Sequence, residues 1–163
     1  MKVIFLDIDG VLNSFKTTSR TPSGYRGVSN SLVKRLQKLI KSTGAVVVLT
    51  SSWKHSDDMD LAYLYKKLGS AKPVDRTYDP EDRDSRRGAG INAWLESHEV
   101  EEFVILDDYS FEFKEQGLMP HLILTDETVG LTDDDTLNAF DVLNGHLIPE
   151  ELYEERLMWG YHR

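Results

Sequence analysis

Val3-Ile4-Phe5-Leu6-Asp7-Ile8-Asp9-Gly10 is an apolar run that leads straight into two carboxylates two positions apart. Side chains on a strand alternate between faces, so Asp7 and Asp9 share a face for as long as the strand continues. Gly10 then lets the backbone turn sharply where the strand stops. Two acids delivered by a buried strand to the edge of a sheet are costly unless a cation sits between them. The cation favoured by this chemistry is Mg²⁺, a hard ion that takes carboxylate oxygens and keeps several waters.

Outward from this run, strand-like apolar stretches alternate with helical periodicity. Residues 2–8, 45–50 (AVVVLT), 103–107 (FVILD) and 121–124 (HLIL) read as strands, and their continuous Val/Ile/Leu content suits strands covered on both faces. Helices are expected at 30–42, where Leu32, Val33, Leu36, Leu39 and Ile40 form one stripe before Gly44, and at 57–68, which opens with acids and closes with Lys66 and Lys67. Further helices are expected at 89–97, at 133–144 after the N-cap candidate Thr132, and at 149–159 behind Pro149. The fold class is therefore α/β, a Rossmann-like three-layer sandwich on a mostly parallel sheet. Two stretches fall outside the alternation. Residues 13–28 are polar and rich in Gly, Pro, Ser and Thr and read as a loop or short hairpin, and 70–88 mixes charges with two prolines as an irregular segment.

The length of 163 residues suits one domain over 1–163, with core motifs over about 2–125 and C-terminal helices over about 132–159. No apolar run approaches the ~20 residues needed to span a bilayer, and with the first strand read from Lys2 no signal peptide is expected. The absence of Cys excludes a disulfide framework and a thiolate metal site. A cytoplasmic protein with no membrane partner and no obligate protein partner is expected. The net charge of −9 is uneven: residues 1–90 hold 16 Lys+Arg and 10 Asp+Glu, a net +6, while residues 91–163 hold 3 and 18, a net −15. An acidic chain binds polyanions poorly without a local basic surface. Lys16, Arg20, Arg26, Arg83, Arg86 and Arg87 are candidates for one, whereas Lys34, Arg35, Lys38 and Lys41 read as the solvated face of a helix.

Four chemistry-bearing groups lie at successive strand ends or helix starts. They are Asp7-Ile8-Asp9, Thr50-Ser51-Ser52, Arg86-Arg87-Gly88 and Asp107-Asp108. Ligands of open α/β sheets bind at the carboxyl ends of the strands, so these groups can converge on one crevice. Two acid pairs, a hydroxyl cluster and a guanidinium suit a phosphate handled with Mg²⁺. Blander readings stand beside this one. Thr50-Ser51-Ser52 can cap the next helix, and Asp107-Asp108 can open a turn or cap a helix over 110–117. Trp53 and Trp94 read as packing residues, the five His show no metal-ligand spacing, and Asp133-Asp134-Asp135 suits a helix N-terminus better than a calcium loop.

Phe5-Leu6-Asp7-Ile8-Asp9-Gly10-Val11 resembles motif I of the haloacid dehalogenase-like (HAD) phosphohydrolases. Val47-Val48-Leu49-Thr50, Arg87-Gly88 at a helix start, and Val104-Ile105-Leu106-Asp107-Asp108 resemble motifs II, III and IV in the family's order. The resemblance implies that Asp7 is the nucleophile and forms an aspartyl-phosphate, and that Asp9 is first general acid and then general base. It implies Mg²⁺ between Asp7, the backbone carbonyl of Asp9 and Asp107, with Asp108 as a further ligand or support. It assigns Thr50 to a phosphoryl oxygen and Arg87 to charge balance, where the family more often has Lys, and a guanidinium is no simple replacement for an ammonium. Arg86 and Lys72 compete for that role, Ser51 competes with Thr50, and Gly10, Ser51 and Arg86 are the candidate substrate contacts.

HAD enzymes often select substrates through an inserted cap. Neither the segment from Gly10 to Ala45 nor that from Trp53 to Arg86 is long enough for one, so a capless, open site is expected, with 13–28 or 70–88 as possible lids. The chain is also similar to small HAD domains linked with nucleic-acid repair in bacteria and phages, through Thr50-Ser51-Ser52-Trp53, Ile91-Asn92-Ala93-Trp94-Leu95, Thr125-Asp126 and Gly130-Leu131-Thr132. This resemblance implies a phosphatase on nucleic-acid ends or nucleotides. The competing readings are a small-metabolite or sugar phosphatase and a non-catalytic binding module. A response-regulator receiver places its acids in a different order.

Overall fold

The computed structural model describes residues 1–78, 81 and 86–153. Five strands form one sheet: β1 (Lys2–Leu6), β2 (Val46–Leu49), β3 (Asp75–Arg76), β4 (Glu102–Asp107) and β5 (Leu122–Leu124). Their order is β3-β2-β1-β4-β5 and every pairing is parallel. The α/β, Rossmann-like sandwich is therefore the architecture. β3 is an addition to the expected strands: it lies in the segment read as irregular, because two residues beside Val48 and Leu49 carry no periodicity of their own.

In register, Leu6 pairs with Leu49 on one side and Leu106 on the other, so like residues line up across the sheet. Ile4, Leu6, Val47, Leu49, Val104, Leu106 and Ile123 face one layer of helices. That layer is α1 (Asn30–Thr43), α2 (Asp58–Leu68) and α4 (Asp133–Leu143). Val3, Phe5, Val48, Ile105 and Leu122 face the opposite layer, made by α3 (Arg87–Glu96) and the segment carrying Phe113, Leu118 and Met119. Trp53 and Trp94 are buried in these two cores, and Trp94 meets Phe5 edge-on at 5.6 Å. No described helix is long and apolar enough to cross a membrane.

The helix ends show why each helix sits where it does. α1 stops because Gly44 takes the left-handed conformation (φ +71°) and returns its N–H to Ile40. Asp57 caps α2 through the Asp60 N–H, and Thr132 with Asp135 forms a reciprocal capping box on α4. α3 begins at Arg87, two residues before the expected start at 89. Its exposed N–H groups are met from a distance, by the Glu112 carboxylate accepting from Gly88 (2.6 Å) and Ala89 (3.2 Å). The expected helix at 149–159 is represented by a single 3₁₀ turn, Glu150–Leu152, and its remainder beyond residue 153 lies outside the described residues. Residues 110–117 form turns, not a helix.

The 13–28 segment is a docked hairpin. Arg20 and Arg26 form an antiparallel bridge. The Ser23 N–H donates to Asp60 (3.1 Å), the Ser23 hydroxyl to Asp57 (2.8 Å), and the Val28 N–H to the Tyr63 hydroxyl (3.3 Å). These three contacts tie the hairpin to α2 and its N-cap Asp57.

Replacing Thr132 with Ala removes one half of the capping box and is expected to cost about 1 kcal/mol. Urea denaturation of the purified variant reads this as a lower midpoint with an unchanged slope.

Candidate active site

The carboxyl edge of the sheet continues the ladder one residue past the strands. The Asp7 N–H donates to Leu106 O, the Thr50 N–H to Leu6 O, and the Thr125 N–H to Asp107 O, each at 2.9 Å. This register sets Thr50 and Asp107 on either side of Asp7. Since Leu6, Leu49 and Leu106 point into the α1–α4 layer, the next residue of each strand turns toward the layer that contains α3. The chain leaves β1 toward β2 and β3 and returns to β4 and β5, so the strand order reverses between β1 and β4. That is the crevice in which open α/β sheets bind ligands.

Arg87, the first residue of α3, fills this crevice with its side chain. Its Nη1 donates to Asp107 Oδ2 at 2.7 Å and lies 3.2 Å from Asp7 Oδ1. All three residues are buried. Its guanidinium carbon sits 4.3 Å from the centre of the Phe111 ring, a cation–π contact that helps fix the planar group. Phe111 reaches this position with φ +42°, in the left-handed region that non-glycine residues seldom occupy.

One guanidinium does not neutralise the acids gathered here. Ligand oxygens of Asp7, Asp107 and Asp108 all lie within 4.8 Å of one another. Burial, and then the charge of Asp7, pushes the Asp107 carboxyl well above the usual carboxylate range, against the opposing pull of Arg87. Burial and the Asp7 charge likewise push Asp108 up to about 7. Such an excess of buried negative charge, offered by hard oxygen donors, fits a divalent cation, and these three acids could hold one.

Asp9 stands apart from this cluster. Its side chain is exposed, and it accepts the Asn13 amide N–H at 2.8 Å. Asn13 is fully buried; its carbonyl accepts the Gly10 N–H (2.9 Å), and its amide also donates to Gly27 O (3.0 Å). The Thr125 hydroxyl donates to Gly10 O at 2.7 Å. Gly10 has φ +79°, and a Cβ there would run into the Asp108 carboxylate, so glycine is required on both counts. Asn13 therefore fixes the direction of Asp9 and the turn that carries it.

The remaining candidates differ in placement. The Thr50 hydroxyl is buried and has no hydrogen-bond partner among the described residues. Ser51 is buried too, but its hydroxyl accepts the Trp53 N–H and caps the 3₁₀ turn Ser52–His55. Arg86 is partly exposed and pairs with Glu81 at 3.0 Å. Lys72 lies over the Tyr65 ring, 5.4 Å from its centre. Of the basic candidates, Arg83 lies outside the described residues. The structure thus brings together Asp7, Arg87, Asp107 and Asp108, with Thr50 beside Asp7 and Asp9 on the adjoining turn. Sequence reasoning missed Asn13, Glu112 and Phe111. Asn three residues after Gly10 is a turn-forming residue at turn-closing distance, a signal that was available. The roles of Glu112 and Phe111 depend on tertiary contact and leave no local trace.

Residues 3–136 match the family model described as the HAD domain in Swiss Army Knife RNA repair proteins. No curated protein matches the chain.

The raised carboxyl of Asp108 has a definite sign in stability. From about pH 4 to about pH 7 it keeps a proton in the fold that the unfolded chain has lost, so raising the pH across this window weakens the metal-free fold. The expected result by thermal denaturation is a Tm that falls over that window without metal, and a rise on adding Mg²⁺ that is larger at about pH 8 than at about pH 5, since metal requires the ionised carboxylates. Asp108→Asn is expected to flatten both trends. A Tm indifferent to Mg²⁺ at both pH values would contradict a cation site here.

Proposed function

For a chain that belongs to the family of HAD domains in Swiss Army Knife RNA repair proteins, we propose a Mg²⁺-dependent phosphatase that acts on nucleic-acid ends or nucleotides through an aspartyl-phosphate on Asp7. The observation that carries this reading is the shared guanidinium: Arg87 bridges buried Asp7 and Asp107 beside Asp108, and next to them the Thr50 hydroxyl is buried without a partner. An unpaired buried hydroxyl is costly on its own and suits a phosphoryl oxygen that arrives with substrate.

The Asp7 carboxylate attacks phosphorus, the bond from phosphorus to the leaving oxygen breaks, and the Asp9 carboxyl gives that oxygen its proton. Asp9, now ionised, takes a proton from water as the water attacks the aspartyl-phosphate. The bond between phosphorus and Asp7 then breaks, releasing inorganic phosphate and restoring both side chains. Asn13 holds Asp9 toward the leaving group during both transfers. Thr50 donates to a phosphoryl oxygen. Arg87 positions Asp7, and its planar fork reaches two carboxylates at once, which a lysine ammonium does with less geometric definition. Asp7, Asp107 and Asp108, with the Asp9 carbonyl, would hold Mg²⁺, which when bound neutralises charge on the phosphoryl group.

The substrate class is supported by the family's association with RNA repair and by the form of the two segments around the site. Where a cap would be inserted, the described residues form the docked hairpin and α1 in the first segment and α2, short 3₁₀ turns and β3 in the second, with no separate cap fold among them, which supports approach by the end of a long molecule.

Phosphate release from 3′- and 5′-phosphorylated oligonucleotides, mononucleotides and sugar phosphates, with Mg²⁺ and with chelator, tests the proposal. Oligonucleotides or nucleotides are expected to turn over only with Mg²⁺, Asp7→Asn to fall to background, and Thr50→Val to lower kcat by about 10²-fold. Turnover of sugar phosphates alone would assign the small-metabolite activity instead. Asp7→Asn matching wild type on every substrate would overturn the enzyme reading.

A further inference from the structure

A cleft of about 390 Å³ opens beside the site, lined by Asp9, Tyr25, Arg26, Ser52, Trp53 and Asp60 among others. Asp9 is the one member of the proposed catalytic set that lines it; Asp7, Arg87, Asp107 and Asp108 do not. A cleft lined by the proton donor but not by the nucleophile lies on the side of the leaving group. Its volume falls within the ~300–1,000 Å³ typical of small-molecule sites.

The cleft contains two polar groups with opposite requirements. Arg26 Nε is buried and has no hydrogen-bond partner among the described residues, and its guanidinium lies over Phe15, 5.6 Å from the ring centre. A buried cationic donor without an acceptor is a site prepared for an anion. Asp60 is buried, and one of its oxygens accepts the Ser23 N–H. Its other oxygen has no partner among the described residues, and an ionised carboxylate can only accept. An anion seated at Arg26 shares the cleft with the carboxyl groups of Asp60 and Asp9. An occupant that suits both ends carries hydroxyl donors near Asp60 and a separate anionic group for Arg26. Tyr25, 71% exposed, adds a ring at the mouth on which a base can stack.

The groups are also preset. Arg26 lies in the hairpin bridge with Arg20, and the hairpin is tied to α2 by the Ser23 contacts to Asp57 and Asp60. The arms that line the cleft are therefore held together before any ligand enters.

We propose that this cleft is the leaving-group pocket, which takes the terminal nucleoside while Arg26 pairs with the phosphodiester next to the scissile phosphate. The proposal rests on the phosphatase reading and sharpens it: the preferred substrate has at least two phosphates, one to be removed and one to be held. A sugar phosphate or a mononucleotide lacks the second.

Binding in the Asp7→Asn background separates this claim from catalysis. Dinucleotides phosphorylated at the 3′ or at the 5′ end, and the matching mononucleotides, are titrated by calorimetry into Asp7→Asn and into Asp7→Asn with Arg26→Met. For one of the two termini the dinucleotide is expected to bind about 10-fold or more tightly than its mononucleotide. Arg26→Met is expected to erase that advantage, and Arg26→Lys, which keeps a charge on a stem of similar reach, to retain part of it. Equal affinity for dinucleotide and mononucleotide, or an advantage that survives Arg26→Met in a protein of unchanged Tm, overturns the pocket assignment and leaves the phosphatase reading intact. Failure of that reading is seen separately, as a wild-type protein that releases no phosphate even from p-nitrophenyl phosphate.

Discussion

Two buried carboxylates, Asp7 and Asp107, share one guanidinium, and the arrangement around the carboxyl edge of the sheet follows from keeping that contact. Adjacent parallel strands bring like charges side by side, which the interior tolerates only if a cation is supplied. Arg87 supplies it from the first turn of α3, and so α3 must start at the correct height. Glu112 sets that height by accepting the Gly88 and Ala89 amide protons, and the Phe111 ring lies against the guanidinium. Even so, the balance is incomplete. Asp107 and Asp108 still hold their protons more tightly than ordinary carboxyls, and this residual imbalance is what makes the site receptive to a metal ion.

Much of this was legible in the chain because the informative residues are local. Val3–Gly10 carries its own strand, its acids and its turn, and the strands at 45–50, 103–107 and 121–124 differ from the observed ones by one residue or less at each end. The features that were not legible depend on distant partners. The start of α3 is set by a carboxylate 24 residues away, and the turn at Gly10 is locked by a hydroxyl 115 residues away. β3 exists because Val48 and Leu49 offer an edge, not because Asp75 and Arg76 favour a strand. Asn13 reads as one polar residue among many until its amide is seen bridging Asp9, Gly10 and Gly27.

The uneven charge of the chain also acquires a location. The basic first ninety residues contribute Arg87 to the centre and Arg26 to the cleft, while Lys54 and Arg76 both lie over the ring of Tyr78, 5.6 and 5.7 Å from its centre. The acidic remainder contributes Asp107 and Asp108 to the site and spends other acids on helix capping, as at Thr132 with Asp135.

The central claim is that Asp7 becomes covalently phosphorylated, held for attack by the guanidinium it shares with Asp107. Intact-protein mass spectrometry of acid-quenched Asp9→Asn, incubated with Mg²⁺ and p-nitrophenyl phosphate, tests it most directly, because nitrophenolate leaves without the proton that Asp9 supplies while loss of the general base slows hydrolysis of the intermediate. The account predicts a protein heavier by one phosphoryl group, with the modification mapped to Asp7. A phosphoryl group on any other residue, or substrate turnover with the protein mass never changing, would contradict it.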